Sequence, residues 1–364
     1  MRVSRLAGFG MVAVVAIGAF AVAVLALPRY AAERANRGLA ALGPYTGHVD
    51  AARWDGRAIV FDGLVIEKRG VAAATPWLTA LRVRIEPHHT DAGWRARAVF
   101  EGATLQFVAA PGARASQSGH GVAWQRALES LTRIPVDTLR LDDATFAFRD
   151  TRVAPPVELA LDRVDAALTN LDAARGGRAR AMLRGRFAGA APLTADARFD
   201  ANPPLEALTL ALDVAALDAA RLNAATRAYA DLDFERGRGD FSLRLVGRGD
   251  RLDGTATARL ADVDVFDFDD DVGRGRGLRR ALRELGAGIA LKLRARDDGG
   301  RVVEPTSLAG SWPHARDDTF AALLDTLRIV AARGFGIRFA DAPPVPARAP
   351  GWLARAGDGD ADGR

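Results

Sequence analysis

The side chains able to bind or catalyse are scattered along this chain, and none falls in a spacing that chemistry requires. His88, His89 and Asp91 offer metal ligands. Adjacent strand residues point to opposite faces, however, and no His-x-x-Glu-His spacing supports a site, so they read as a polar turn. Asp262, Asp264, Asp267, Asp269, Asp270 and Asp271 form the densest acidic run, interleaved with Val263, Val265, Phe266 and Phe268. A calcium loop needs a central Gly and a late Glu, and neither is present. The run reads instead as a solvated strand face, with a bulge between Val265 and Phe266 keeping the apolar residues inward.

Gly273, Gly275 and Gly277, with Arg274 and Arg276, superficially resemble a phosphate-cradling loop. The spacing of the third glycine is wrong and no βαβ unit surrounds it, so a flexible turn is expected. Arg279, Arg280 and Arg283 behind it form a wet helix face within reach of anionic headgroups. There is no Gly-x-Ser-x-Gly elbow and no recognisable Ser, His and Asp set. With 45 acidic residues, chance carboxylate pairs carry no information. The chain lacks cysteine, which excludes disulfides and thiolate chemistry. We therefore expect no enzyme, no cofactor and no metal.

The pI of about 10.2 invites a nucleic-acid partner. Yet the net charge is only +5, from 50 basic and 45 acidic residues, and Lys68 and Lys292 are the only lysines. Arginine's high pKa raises the pI without building a strong positive field. Opposite charges also alternate closely, as in Arg140, Asp142, Asp143 and Arg149. The pattern reads as a solvated surface, and no nucleic acid is expected.

The elements that would position any site are mainly strands. Leu81, Val83 and Ile85 alternate with Arg82, Arg84 and Glu86, the period of two that puts one apolar and one charged face on a strand. The rhythm recurs at Leu139 and Leu141, at Phe146 and Phe148, at Leu159 and Leu161, and at Leu208, Leu210 and Leu212. Asp142-Asp143 between two of these runs suggests a hairpin. Further runs lie at 59–66, 96–108, 164–171, 178–187, 193–199, 241–246, 255–260 and 289–294, giving antiparallel structure with one solvated face. Helices are fewer. Trp124, Leu128 and Leu131 share a face, Asp218 can cap a helix carrying Leu222, Ala225 and Tyr229, and apolar stripes recur over 278–289 and 319–333.

Residues 1–28 begin with Arg2 and Arg5 and continue through an uncharged run, Leu6 to Leu27. That run is long enough to span a bilayer, longer than a secretory signal, and followed by a poor cleavage junction. An uncleaved transmembrane anchor is expected, with the body outside the cytoplasm. Residues 29–44 read as a helical stalk, 45–339 as the β-rich body, and 340–364, rich in Pro, Gly and Asp, as a disordered tail.

The stretch LDAARLNAATRAYADLDFERGRGDFSLRL from Leu217 to Leu245, with RLDGTATARLADVDVFDFD from Arg251 to Asp269, resembles the AsmA-like family of bacterial envelope proteins, in a branch known only as a domain of unknown function. VDTLRLDDATFAFRD from Val136, PPVELALDRVDAALTNL from Pro155 and SLAGSWPHARDDTFAALLDTLR from Ser307 are similar to further family elements, so the resemblance covers about 136–333. It implies an elongated, curved antiparallel sheet anchored in the inner membrane and standing in the periplasm, with an apolar groove for lipid. Groove candidates are Leu81, Val83, Ile85, Leu139, Leu141, Leu208, Leu210, Leu212, Phe266 and Phe268. Expected partners are the inner membrane through residues 6–27, a phospholipid or other envelope lipid, and an envelope protein. Period-two strands equally build a closed core, which would make the chain an interaction scaffold without lipid.

Overall fold

The computed structural model describes residues 27–70, 75–112, 114–119, 121–172, 178–201, 207–230, 233–249, 251–266 and 302–311. A helix over 27–39, α1, leads into an edge formed by β1 (Tyr45–His48) and β2 (Ala51–Trp54). Then follow β3 (Ile59–Lys68), β4 (Leu78–Thr90), β5 (Gly93–Glu101), β6 (Thr104–Ala109) and helix α2 (Trp124–Leu131). The chain continues through β7 (Val136–Asp150), β8 (Val157–Thr169), β9 (Arg178–Phe187), β10 (Ala191–Asp200) and β11 (Ala207–Asp218). A 3-10 turn (Ala219–Leu222), α3 (Asn223–Ala230), β12 (Asp233–Arg248), β13 (Arg251–Phe266) and β14 (Val302–Ser311) complete the described elements.

All these strands belong to one mainly sequential sheet. It is mixed, which corrects the expectation of a purely antiparallel one: β5 and β6 both pair parallel to β7. Parallel neighbours require a crossover, and the segment containing α2 supplies it. β5 and β6 occupy one strand position end to end, both flanked by β4 and β7.

The strands are long, and most break phase at one level. β1 gives way to β2 at Val49–Asp50, and β5 to β6 at Gly102–Ala103, with Gly102 at φ 59°. Gly63 lies at φ 66°, Asp143 at 54°, Arg163 at 50° and Ala216 at 50°. The pairing shifts beside these last three residues. A bulge shifts the side-chain phase by one residue while bending the strand. A row of them therefore creases the sheet and keeps its apolar face continuous: Val83 and Ile85 above the crease share a face with Leu78 and Ala80 below it. Asp142-Asp143 is accordingly not a hairpin, because β7 runs unbroken from Val136 to Asp150 through the bulge.

We call the end bearing the β4–β5 turn the upper end. Helices α1 and α2 cover the apolar face of the first half, with Ala35, Leu39, Ala127 and Leu131 packed on Phe61, Val83, Ala98 and Phe100. They run antiparallel: Arg34 of α1 donates to the Ser130 and Glu129 carbonyls at 3.0 and 2.9 Å, and Arg126 of α2 donates to the Ala41 carbonyl at 3.2 Å. Those carbonyls lie near a helix C-terminus, where partners are scarce. A Cβ on Gly38 would meet Ser130 Oγ at 2.0 Å, so glycine permits the close approach. The stretch expected as a stalk is thus built into this helix-covered first half, which we call the head.

The solvated face carries cross-strand ion pairs such as Arg180 with Asp196, Arg184 with Asp165 at 3.1 Å, and Arg244 with Asp213 at 2.8 Å. This is where the alternating Arg and Asp of the sequence go. No helix among the described residues is long and apolar enough to cross a membrane. Residues 6–26 of the apolar run lie outside them, as do the stripes at 278–289 and 319–333, the run at 289–294, the glycines at 273–277 and the tail.

Candidate functional site

The second half of the sheet presents an apolar surface of a different kind. The register aligns its side chains in rows: Leu183, Ala195, Leu212 and Leu243 face one another across β9 to β12, as do Ala181, Ala197, Leu210 and Leu245 one step up. Ala179, Phe199 and Leu208 above them form a buried cluster with Leu243 and Leu245 on the β12 side of the rows. At the crease a second cluster, Ala191, Leu193 and Val214, is also buried. Between the two, Ala181, Leu183, Ala195, Ala197, Leu210, Leu212 and Phe241 are only half-buried.

The cause lies in residue size. β10 places Ala195 and Ala197, and β9 Ala181, where β11 and β12 place leucines, and strands lie about 4.8 Å apart, so the alanines leave a shallow hollow about two strands wide. Gly254 helps seal the far side, since a Cβ there would meet Leu245 Cδ2 at 2.5 Å. The 3-10 turn and α3 sit at the lower end between β8 and β12, and Arg221 donates to the Ala188 carbonyl at the β9–β10 turn at 3.2 Å. Asp218 starts this element as expected, accepting from the Ala220 N–H at 3.2 Å. The result is an apolar trough with a lower stop.

The sequence candidates divide among three settings. Val83, Ile85 and Leu139 are buried in the closed first half, and Leu141 packs beside them half-buried. Leu208 is buried at the upper end of the trough, while Leu210 and Leu212 line it. Leu81 is 72% exposed, which corrects its grouping with Val83 and Ile85. The crease explains it: Leu81 occupies the phase break and lies against Gly102, where a Cβ would meet its Cδ1 at 2.7 Å. Phe266 ends β13 opposite Asp233, and Phe268 lies outside the described residues. The bulge expected between Val265 and Phe266 occurs earlier, with register slips on either side of Asp264.

Leu183 and Phe241 belong to the trough but were not singled out. Their signal was the alternation over 178–187 and 241–246; which leucines meet across strands depends on register.

The polar groups have structural roles. His88 and His89 lie within β4 rather than in a turn: His88 Nε2 is 3.1 Å from Asp137 Oδ2, and the His89 ring packs edge-on to Trp94. Arg95 pairs with Asp172. On the opposite face a depression of about 540 Å³ above the crease is lined by Arg97, Arg140, Arg184, Asp142 and Asp165. Its arginines are already engaged, Arg140 with Asp142 at 3.0 Å, Arg184 with Asp165 at 3.1 Å and Arg97 with Glu86 at 3.4 Å. Among the described residues no cluster of three His, Asp or Glu is placed to hold a metal.

Asp55 lies in the β2–β3 turn, and its titration is displaced. Its carboxylate accepts from the Arg57 and Ala58 N–H groups at 3.1 and 2.8 Å and meets Arg84 at 2.8 Å, which holds its pKa below the usual range, the backbone bonds first. The contact braces a turn and lies away from the trough.

No protein-family model matches the chain, and no curated protein is significantly similar to it.

Proposed function

We propose that this chain is a non-enzymatic, AsmA-like envelope protein, tethered to the bacterial inner membrane by residues 6–27 with its body in the periplasm. In this reading the trough shelters acyl chains of a phospholipid or another envelope lipid, serving lipid handling during outer-membrane biogenesis. The observation that carries it is the half-buried apolar strip of Leu183, Leu210, Leu212 and Phe241 between two buried clusters. Each methylene moved from water onto such a surface gains about 0.8 kcal/mol when fully buried, so a short length of chain suffices for binding. The linear shape of the strip, following β9 to β12 with small residues down its middle, suits an acyl chain better than a compact polar metabolite.

The scaffold reading draws on the first half, whose apolar face is already covered by α1 and α2. A trough likewise filled by protein would leave the paired outer face, or a sheet edge, to recruit an envelope partner.

Photo-crosslinking separates the two. A photoreactive residue at Leu212 or Leu183, in the full chain expressed in cells, is expected to give lipid adducts. The same residue at Leu81, exposed on the crease, supplies the background. Adducts at Leu212 and Leu183 no more frequent than at Leu81 would remove the lipid reading.

A further inference from the structure

Among the described residues the exposed large apolar side chains are Leu27, Tyr30, Trp54, Leu81, Trp94, Met182 and Val246. They do not scatter evenly. Leu81 sits at the crease, and Met182 and Val246 alternate with the trough residues and so point to the solvated face. The other four gather at the upper end of the first half.

Leu27 and Tyr30 open α1, where they are 52% and 49% exposed. Tyr30 Oη accepts from Arg133 Nη2 at 3.3 Å, and two residues later the Pro135 carbonyl accepts from the Ala96 N–H at 2.9 Å. Trp94, 59% exposed, lies two residues from Ala96 beside the β4–β5 turn, directly opposite His89. Trp54, 44% exposed, is paired with Ile59, which in turn is paired with Ile85, so it shares the apolar face from the neighbouring edge. Trp54, Tyr30 and Trp94 thus surround the end of the head from which the chain runs back into the uncharged stretch Leu6 to Leu27.

Tryptophan and tyrosine side chains concentrate at the headgroup level of a bilayer, where an apolar ring and a polar edge are both accommodated. We propose that the upper end of the head seats in the headgroup layer of the bilayer entered by residues 6–27, with Trp54 and Trp94 as interfacial anchors. The occupant of this patch is a lipid surface. Two observations favour it over a protein partner: the patch lies where the bilayer-length run joins the head, and exposed Arg29 and Arg133 beside it suit anionic headgroups. The seating also aims the trough. The starts of β9 and β11 and the ends of β10 and β12 lie at the same end of the sheet, so the end of the trough bounded by Ala179, Phe199 and Leu208 faces the membrane.

The inference rests on the membrane-anchor reading, and one experiment tells the two apart. Because the chain has no cysteine, single cysteines can be introduced and labelled with an environment-sensitive fluorophore: Trp94→Cys, Trp54→Cys, Ala190→Cys at the β9–β10 turn of the lower end, and Ala16→Cys within the apolar run. Each full-length protein is reconstituted in phosphatidylethanolamine–phosphatidylglycerol vesicles containing doxyl-labelled lipids. Labels at 94 and 54 are expected to be quenched at least about twice as strongly as that at 190, as befits side chains within about 10 Å of the headgroup boundary.

Quenching at 16 with 94 and 54 matching 190 would overturn the seating and leave the anchor intact. No quenching at 16 would overturn the anchor instead. A label at 94 that is blue-shifted yet untouched by doxyl lipid would also overturn the seating and assign the patch to a protein.

Discussion

The two halves of this sheet share one fold logic and finish it differently. In the first, α1 and α2 form a second layer, and Leu39 of α1 is almost fully buried together with Trp77, Tyr45 and Phe61. In the second, the same alternating strands carry apolar rows that remain half-open between two small clusters. A closed face supplies stability, whereas a half-open one leaves apolar surface partly in contact with solvent. The contrast shows that the alternation common to both halves does not distinguish a closed core from a half-open apolar face. The covering layer does.

The strongest way to break the contrast is to hollow the closed half. Trp77 packs against Tyr45 with ring centroids 5.4 Å apart and against Phe107 at 6.5 Å. Trp77→Ala is expected to cost about 3–5 kcal/mol, seen as a fall in the urea midpoint, because the cavity lies between rigid neighbours. The crease comes next. Gly63→Val places a β-branched residue at φ 66°, with a Cβ 1.9 Å from Asp50 Oδ2, and is expected to cost about 1–3 kcal/mol in thermal unfolding.

The trough should respond in the opposite sense to the core. Leu212→Ala is expected to lower stability by at most about 1.5 kcal/mol, because the side chain is only half-buried, while removing most lipid adducts at a crosslinker on Leu183. A loss of stability matching Trp77→Ala would mean the second half is as closed as the first. On the solvated face, Arg244→Ala, which breaks the exposed pair with Asp213, is expected to change stability by less than about 1 kcal/mol.

The smallest effect is local and pH-dependent. The pKa of Asp55 is lowered in the folded state, so its contribution is complete above the ordinary aspartate range and is lost as pH falls through the lowered value, below about pH 4. Hydrogen exchange in the β2–β3 turn should accelerate there in the parent protein. In Asp55→Asn it should already be fast at neutral pH, with little further change on acidification.

Much of the sheet was legible because period-two alternation is a local property: the run at 178–187 matches β9 residue for residue. Helix α2 and the capped element after Asp218 followed from apolar spacing and a side-chain acceptor. What misled was the crease. Asp142-Asp143 carries the composition of a turn, and a two-residue aspartate step serves either a hairpin or a bulge. The flanking strands β5, β6 and β8 decide for the bulge, because pairing continues on both sides of it. Leu81 was assigned with Val83 by the same local rule, and the phase break placed it outside.

By itself the sequence determined the class of the molecule: alternating strands, a face of alternating arginine and aspartate, no cysteine, and an uncharged N-terminal run of bilayer length. Those properties depend on neighbours two to four residues away. Only the tertiary structure decided that α1 and α2 close one half of the apolar face, that a row of bulges creases the sheet, and that alanines on β9 and β10 leave a trough beside the leucines of β11. Each of these depends on register between strands, or on contacts such as Arg34 with Ser130, made by residues far apart in the chain. No local pattern encodes such distances.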